Sequence, residues 1–274
     1  MKLKYYGTAA AEGIPSMFGC QCETCEKTRA LGGRNIRTRS QAAVDDKILI
    51  DFPPDTYLHT LYHNLNLNVI KNCLITHNHS DHLYAEDFYM RRKIFYYPKE
   101  ESILTVYGAK ATVDAVHSVL KGHQDTRIVV KEIQPYEEFY VEDYAVTPLK
   151  AEHAEFTAPV IYMISHSGKT ILYGHDTGYF SEETWAYLER KKPYFDLISL
   201  DCTEALKSTR QYHMGLEAIR DVAARLREIG CIDAESKICV NHFSHNGGAT
   251  YDELVEIVKK DGFIVSYDGM ELII

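Results

Sequence analysis

A chain of 274 residues, 45% of them hydrophobic, can bury a large core and fits a single domain over residues 1–274. Its formal charge of −9 disfavours bulk nucleic acid as a partner, because the overall field repels a polyanion. No apolar run approaches the ~18–20 residues needed to span a bilayer, and the opening MKLKYYGTAAAEGIP lacks the apolar core of a secretory signal, so a cytoplasmic protein without a membrane partner is expected.

KLKYYG (2–7) is the first strand-like run. A compact thiol group follows, Cys20, Cys22 and Cys25, three of only seven cysteines. Clustered thiols in a reducing compartment point to metal or redox chemistry rather than a disulfide framework. Their spacing suits three corners of a tetrahedral zinc site, whereas a redox pair at Cys22 and Cys25 would want a thioredoxin-like βαβ pattern that is missing here. Arg34, Arg37 and Arg39 come next; such a run is usually a solvated face, but an arginine fork also matches phosphate geometry, which makes them candidate substrate anchors.

AAVDDKILID (42–51) reads as one strand run and CLIT (73–76) as a short buried strand. AEDFYMRRKIF (85–95) has helical character, so residues 77–82 form the loop between them, at the strand's C-terminal end. Further strand-like runs are ILTVYG, RIVVKEI, YAVTPL, VIYMISH, KTILYG, DLISLD, KICVN and FIVSYDGMELII. Helical spacing is clearest at Leu216, Ile219, Val222, Ala223, Leu226 and Ile229, ended by Gly230; two more helices are expected over 182–190 and 251–260. Asp268-Gly269 between apolar runs signals a tight hairpin. Interleaved strands and helices in these numbers predict an α+β fold, sheet packed on sheet with helices outside.

The loop at 77–82 carries His77, His79, Asp81 and His82. Alternate residues of an extended chain point the same way, so His77 and His79 can share one metal while Asp81 and His82, as the chain coils, face a second. His153, Asp176 and His242 each stand just beyond a later strand run. Two metals roughly 3.5–4 Å apart suit hydrolysis by a bridging hydroxide, and nitrogen and oxygen donors accept zinc, manganese or iron. Between His175 and Asp176, the carboxylate is the expected inward group, since an anion lowers the cost of two adjacent cations. Cys73, Cys202, Cys231 and Cys239 lie in apolar surroundings and are expected to be buried small side chains. His59, His63, His117, His123 and His166 match no motif and are expected to be ordinary surface or helix residues.

The H-x-H-x-D-H signature, followed by single His, Asp and His positions in that order, resembles the metallo-β-lactamase superfamily over nearly the whole chain. The resemblance implies a four-layered αββα sandwich with a dinuclear site at one edge: His77, His79 and His153 on one metal, Asp81, His82 and His242 on the other, and Asp176 bridging. GTAAAEGIP with the cysteine triplet, HFSH (242–245) and DGMEL further resemble the PhnP-like phosphodiesterases. That likeness implies His245 as fourth ligand of a structural zinc with Cys20, Cys22 and Cys25, and gives His213, just ahead of the 216–229 helix, the role of leaving-group acid or phosphate holder. A helix N-terminus favours neutral imidazole and a bound phosphate the charged form; the phosphate, closer and more highly charged, is expected to prevail.

These readings converge on a hydrolase: a phosphodiesterase that uses two divalent metals and a structural zinc to cleave a small phosphodiester, cyclic ones included, with Asp81 and His213 as catalytic groups. The alternatives are a tRNA 3′-processing nuclease, an ester, lactone or thioester hydrolase, and an inactive zinc-stabilised accessory module. Oligomeric state is open, a homodimer included.

Overall fold

The computed structural model describes residues 1–274, the side chain of Gln124 excepted. The first 132 residues form β1 (Lys2–Gly7), α1 (Glu23–Leu31), β2 (Gln41–Val44), β3 (Ile48–Ile50), α2 (Thr56–Tyr62), β4 (Asn72–Leu74), β5 (Leu104–Gly108), α3 (Lys110–Leu120) and β6 (Ile128–Glu132). The rest form β7 (Phe139–Val141), β8 (Tyr144–Lys150), β9 (Val160–His166), β10 (Lys169–Gly174), α4 (Glu182–Lys191), β11 (Leu197–Asp201), α5 (Leu216–Glu228), β12 (Lys237–Asn241), α6 (Tyr251–Val258), β13 (Ile264–Val265) and β14 (Glu271–Ile273). They make two seven-stranded sheets, β14-β1-β2-β3-β4-β5-β6 and β13-β12-β11-β10-β9-β8-β7.

Alternation along the strands decides the layers. Leu3, Tyr5, Ile48, Ile50 and Leu74 of the first sheet pack between the sheets against Val146, Tyr162, Ile164, Ile171 and Tyr173 of the second. Their neighbours Ala43, Leu49, Cys73 and Ile75 face outward onto Phe88 and, from α3, Val116. On the far side Ile161, Leu172, Ile198 and Val240 meet Trp185 and Leu188 of α4, the Leu216, Ile219, Val222 and Leu226 stripe of α5, and Leu254 of α6. A period of two in the strands and of three to four in the helices thus yields helix, sheet, sheet, helix, the αββα sandwich expected. No described helix is long and apolar enough to cross a membrane.

Helix ends follow local chemistry. Ser181 caps α4 by accepting from the Thr184 N–H, and Thr250 forms a reciprocal capping box with Glu253 at α6.

Several local expectations differ. AAVDDKILID is a hairpin, because Asp45 and Asp46 adopt positive φ (51° and 55°) and reverse the chain between β2 and β3. Ala85–Arg91 is a 3₁₀ rather than an α-helix, with only Ala85 and Phe88 buried on its three-residue repeat. The Asp268-Gly269 turn closes no hairpin: β13 pairs with β12 and β14 with β1, so the turn carries the chain from one sheet to the other. The arginines tie loops together. Arg37 is buried, donates to Thr8 Oγ1 and the Ser266 carbonyl, and lies 3.9 Å from the Phe243 ring centroid; Arg39 pairs with Asp55 at 2.9 Å, and Arg34 covers the Tyr267 ring. His59 is a helix residue of α2, one of the two expected settings, and is wholly buried there.

Candidate metal centre and active-site hollow

β3 and β4 run parallel in the first sheet, and β10, β11 and β12 run parallel in the second. Loops leaving the C-terminal ends of such strands meet at one edge of the sandwich, the usual place for a site in open sheets. Asp51 follows β3, the 77–82 loop follows β4, His153 follows β8, Asp176 follows β10, Asp201 ends β11, and His242 follows β12. Asp51, Asp176 and His242 have left-handed backbones (φ 66°, 54° and 62°), a costly conformation for side-chain-bearing residues that turns each sharply off its strand.

Three overlapping donor groups result. His77, His79, His153 and Asp176 bring one ligand atom each within 4.8 Å of one another, and so do Asp81, His82, Asp176 and His242, and a third group of Asp176, Asp201, His213 and His242. Asp176 Oδ2 lies 3.0 Å from His77 Nε2 and 3.2 Å from His82 Nε2, between the first two sets. His77 Nε2 is 2.9 Å from His79 Nδ1, and His82 Nε2 is 3.2 Å from His242 Nε2. His175, next to Asp176, turns away: its Nε2 sits 2.7 Å from Ser199 Oγ, which also bonds Tyr5 Oη of the facing sheet.

Sequence reasoning missed what lies behind the histidines. His77 Nδ1 stands 3.1 Å from Thr76 Oγ1, whose hydroxyl donates to Asp51; His82 Nδ1 stands 2.7 Å from Asp51 Oδ2. On the other sheet His242 Nδ1 is 2.7 Å from Thr203 Oγ1, which donates to Asp201, and His153 Nδ1 is 3.2 Å from the Tyr212 carbonyl. For His77, His82, His153 and His242 this network assigns the proton to the outward Nδ1 and leaves the Nε2 lone pair facing the cage, whereas His79 turns Nδ1 inward. Asp51 and Asp201 are the last residues of the apolar runs ILID and LISLD, a weak signal that any strand-ending carboxylate would share.

The donor set fits divalent cations. Asp51, Asp81, Asp176 and Asp201 are all buried, and among the described residues no Lys or Arg forms an ion pair with any of them. Buried carboxylates need compensating charge. Burial, then the charge of His82, hold His77 down to about 4, so the ring is neutral and able to ligate. His213 enters from the loop ahead of α5. Although they stand 3.1 Å apart, its Nδ1 and Asp176 Oδ1 are not aligned for a hydrogen bond, and neither atom has a hydrogen-bond partner, while Asp201 Oδ2 lies 3.5 Å from the same Nδ1. Burial pulls the His213 imidazole down, but the carboxylates of Asp176 and Asp201 outweigh it and push it up to about 11. Two fixed carboxylates, rather than a helix end, therefore set its charge. Glu12, His79, Asp81, His153, Asp176, His213 and His242 line a hollow of about 270 Å³.

A second cluster lies beside it. Cys20, Cys22, Cys25 and His245 also converge within 4.8 Å, with His245 Nδ1 3.2 Å from Cys22 Sγ. Burial raises the Cys22 thiol, yet the Cys25 N–H, His245 and the neighbouring thiols outweigh it and draw it to about 6, which favours the ligating thiolate. The set fits a tetrahedral zinc of three sulfurs and one nitrogen. Backbone bonds from Phe243 N–H to the Thr8 carbonyl and from Ala10 N–H to the Phe243 carbonyl tie the N-terminal loop to the strand-end loop that carries His242 and His245. The other four cysteines are buried.

Fold and cage together define a metal-dependent hydrolase of the metallo-β-lactamase superfamily. A family model described as a β-lactamase superfamily domain matches residues 46–242, and the chain belongs to that superfamily. Its fold is similar to zinc-bound PqqB from Methylobacterium extorquens (20% identity, TM-score 0.77, all of both chains). It is also similar to a diphosphatase of the PhnP family (18% identity, TM-score 0.75, 100% of this chain and 97% of that one). The short form of human tRNase Z is a further likeness (16% identity, TM-score 0.67, 100% and 99%). By sequence, no curated protein matches the chain.

Proposed function

We propose that the protein is a dinuclear metal-dependent phosphodiesterase acting on small phosphodiesters, cyclic ones included. One observation carries the reading: Asp176 belongs both to the group with His77, His79 and His153 and to the group with Asp81, His82 and His242, so two cations would share it. His77, His79 and His153 would complete one position and Asp81, His82 and His242 the other, with zinc, manganese or iron. When bound, such a pair supplies Lewis acidity toward a phosphoryl oxygen and lowers the pKa of a coordinated water.

The remaining work falls to the chain's own groups. Asp51 through Thr76, and Asp201 through Thr203, hold the ligating rings in one tautomer. His213 directs Nδ1 toward Asp176 and Asp201, at 3.1 and 3.5 Å, which leaves Nε2 to pass a proton to the departing oxygen. A positioned acid of this kind contributes about 10²–10⁴-fold. Cys20, Cys22, Cys25 and His245 would hold a structural zinc that pins the N-terminal loop, and with it Glu12, against the hollow; their free thiols suit a reducing, cytoplasmic setting.

The hollow's size favours a small ester, and no Lys or Arg lines it, which weighs against a tRNA substrate. Cleavage of a diphosphate linkage is a second reading, favoured by the full-length likeness to the PhnP-family diphosphatase. Metal analysis beside turnover of cyclic and linear phosphodiesters, a diphosphate diester and a lactone tests the proposal. Three metals per chain with phosphodiester turnover is the expected result; faster lactone hydrolysis would move the chemistry to carbon, and metal-loaded protein inert on all four substrates would make it an accessory module.

A further inference from the structure

The metal hollow adjoins a far larger cleft of about 950 Å³, and His153 lines both. Two aromatic side chains stand in that cleft beside metal ligands and largely uncovered. Phe156 is 82% exposed with its ring centroid 6.0 Å from that of His79; Tyr212 is 58% exposed with its ring 6.4 Å from His153. A single exposed apolar residue needs no explanation. What distinguishes this pair is that both rings stand beside candidate ligands of the cage on turns fixed by hydrogen bonds.

Phe156 sits in a 3₁₀ turn, Glu155–Thr157, closed where the Thr157 N–H and hydroxyl both donate to the Ala154 carbonyl and followed by Ala158 in a left-handed conformation (φ 47°). Tyr212 also has a left-handed backbone (φ 62°), and its carbonyl accepts from His153 Nδ1. The loop carrying it lies tight on Gly178, where an added Cβ would come within 2.4 Å of the Arg210 carbonyl oxygen and 2.9 Å of the Tyr212 nitrogen. The turn that orients a metal ligand therefore also aims a ring into the cleft.

Charge narrows the occupant further. Both lysines lining the cleft are already engaged, Lys110 by Asp114 and Lys150 by Glu183, while Glu132 and Glu155 add negative charge. The charge balance among these lining residues therefore disfavours a second phosphate.

Resting on the phosphodiesterase reading, we infer that Phe156 and Tyr212 grip a flat aromatic or heteroaromatic ring on one alcohol of the scissile diester. The substrate is then a compact diester bearing such a ring beside its phosphorus, not an oligonucleotide or polyphosphate. Ring faces stack favourably on aromatic side chains, whereas a saturated ring of equal bulk cannot.

The test compares benzyl with cyclohexylmethyl 2,2,2-trifluoroethyl phosphate on the manganese-loaded protein, following trifluoroethanol release, since the common leaving group carries no ring and only the aromaticity of the retained group changes. Benzyl should be preferred about tenfold in kcat/KM, mainly through KM, and Phe156→Leu and Tyr212→Leu should each cut that ratio about threefold or more. No preference in the wild type, or a ratio preserved in both variants, overturns the inference. Calorimetric binding of benzyl against cyclohexylmethyl phosphate decides it without turnover. If neither ester is cleaved the phosphodiesterase reading fails, while a benzyl preference in binding that Phe156→Leu abolishes still supports the grip and equal binding refutes it.

Discussion

His82 Nδ1 lies 2.7 Å from Asp51 Oδ2, and both side chains are wholly buried. The carboxylate also accepts from the Thr76 N–H and hydroxyl, so one residue at the end of β3 orients two rings of the cage. Asp51→Asn should fold, because asparagine tolerates the left-handed backbone there (φ 66°). It should weaken metal binding about 10–100-fold, read by competition with a chelator. Wild-type affinity would remove Asp51 from the support of the site.

Single ligand losses should separate the two positions. His79→Ala and Asp81→Ala are each expected to abolish turnover of an aryl phosphodiester with little change in far-ultraviolet circular dichroism. Asp176→Asn, which touches the His77/His79/His153 group and the Asp81/His82/His242 group alike, should lower metal content by about two ions per chain where the other variants lose about one. Unchanged turnover in both alanine variants would dismiss the hollow as the catalytic site.

His213→Ala should discriminate between leaving groups. An alkoxide needs a proton and a nitrophenolate does not, so the expected loss is about 10²–10⁴-fold on alkyl esters and under about tenfold on p-nitrophenyl esters. Equal losses on both would leave His213 holding phosphate rather than donating a proton.

The thiol cluster is expected to be structural. Cys22→Ser should remove one zinc per chain and lower the Tm by about 5–10 °C, since the N-terminal loop loses its anchor. Retained zinc, or an unaltered Tm after its loss, would count against that role.

Acid sensitivity should trace in part to His59. Burial, then the charge of His63, hold its imidazole down to about 3, and its nitrogens lie 2.6 Å from Gln41 Oε1 and 2.8 Å from Thr38 Oγ1. The unfolded ring titrates near its ordinary value of about 6.5, so between these two values the unfolded state binds more protons. Its contribution is therefore complete above about pH 6.5 and is lost as pH falls toward 3, by up to roughly 1.4 kcal/mol per unit. Urea midpoints of His59→Gln and wild type between pH 7 and 5 should converge as the pH drops; parallel curves would assign the acid limb elsewhere.

Much of the centre is legible in the chain because its chemistry is local. Four donors within six positions cannot avoid one another at a strand end, and three thiols within six residues likewise share a neighbourhood whatever the tertiary fold. The layer order is legible too, since alternation in the strands and the Leu216-to-Leu226 stripe state which faces must be covered.

What distance in the chain conceals, only the folded molecule decides. Asp51 and Asp201 look like any polar residue closing an apolar strand until His82 and His242 arrive against them from loops 31 and 41 residues away in sequence. Arg37 reads as part of a solvated basic run, yet it is enclosed by Thr8, Phe243 and Ser266. The turn at Asp268 has the local chemistry of a hairpin, but strand pairing, a long-range choice, sends its two arms into different sheets. Side-chain type and short-range spacing are written residue by residue. Enclosure, charge compensation and the partner of each strand depend on which distant segments share a volume, and that is settled only when the two sheets close on each other.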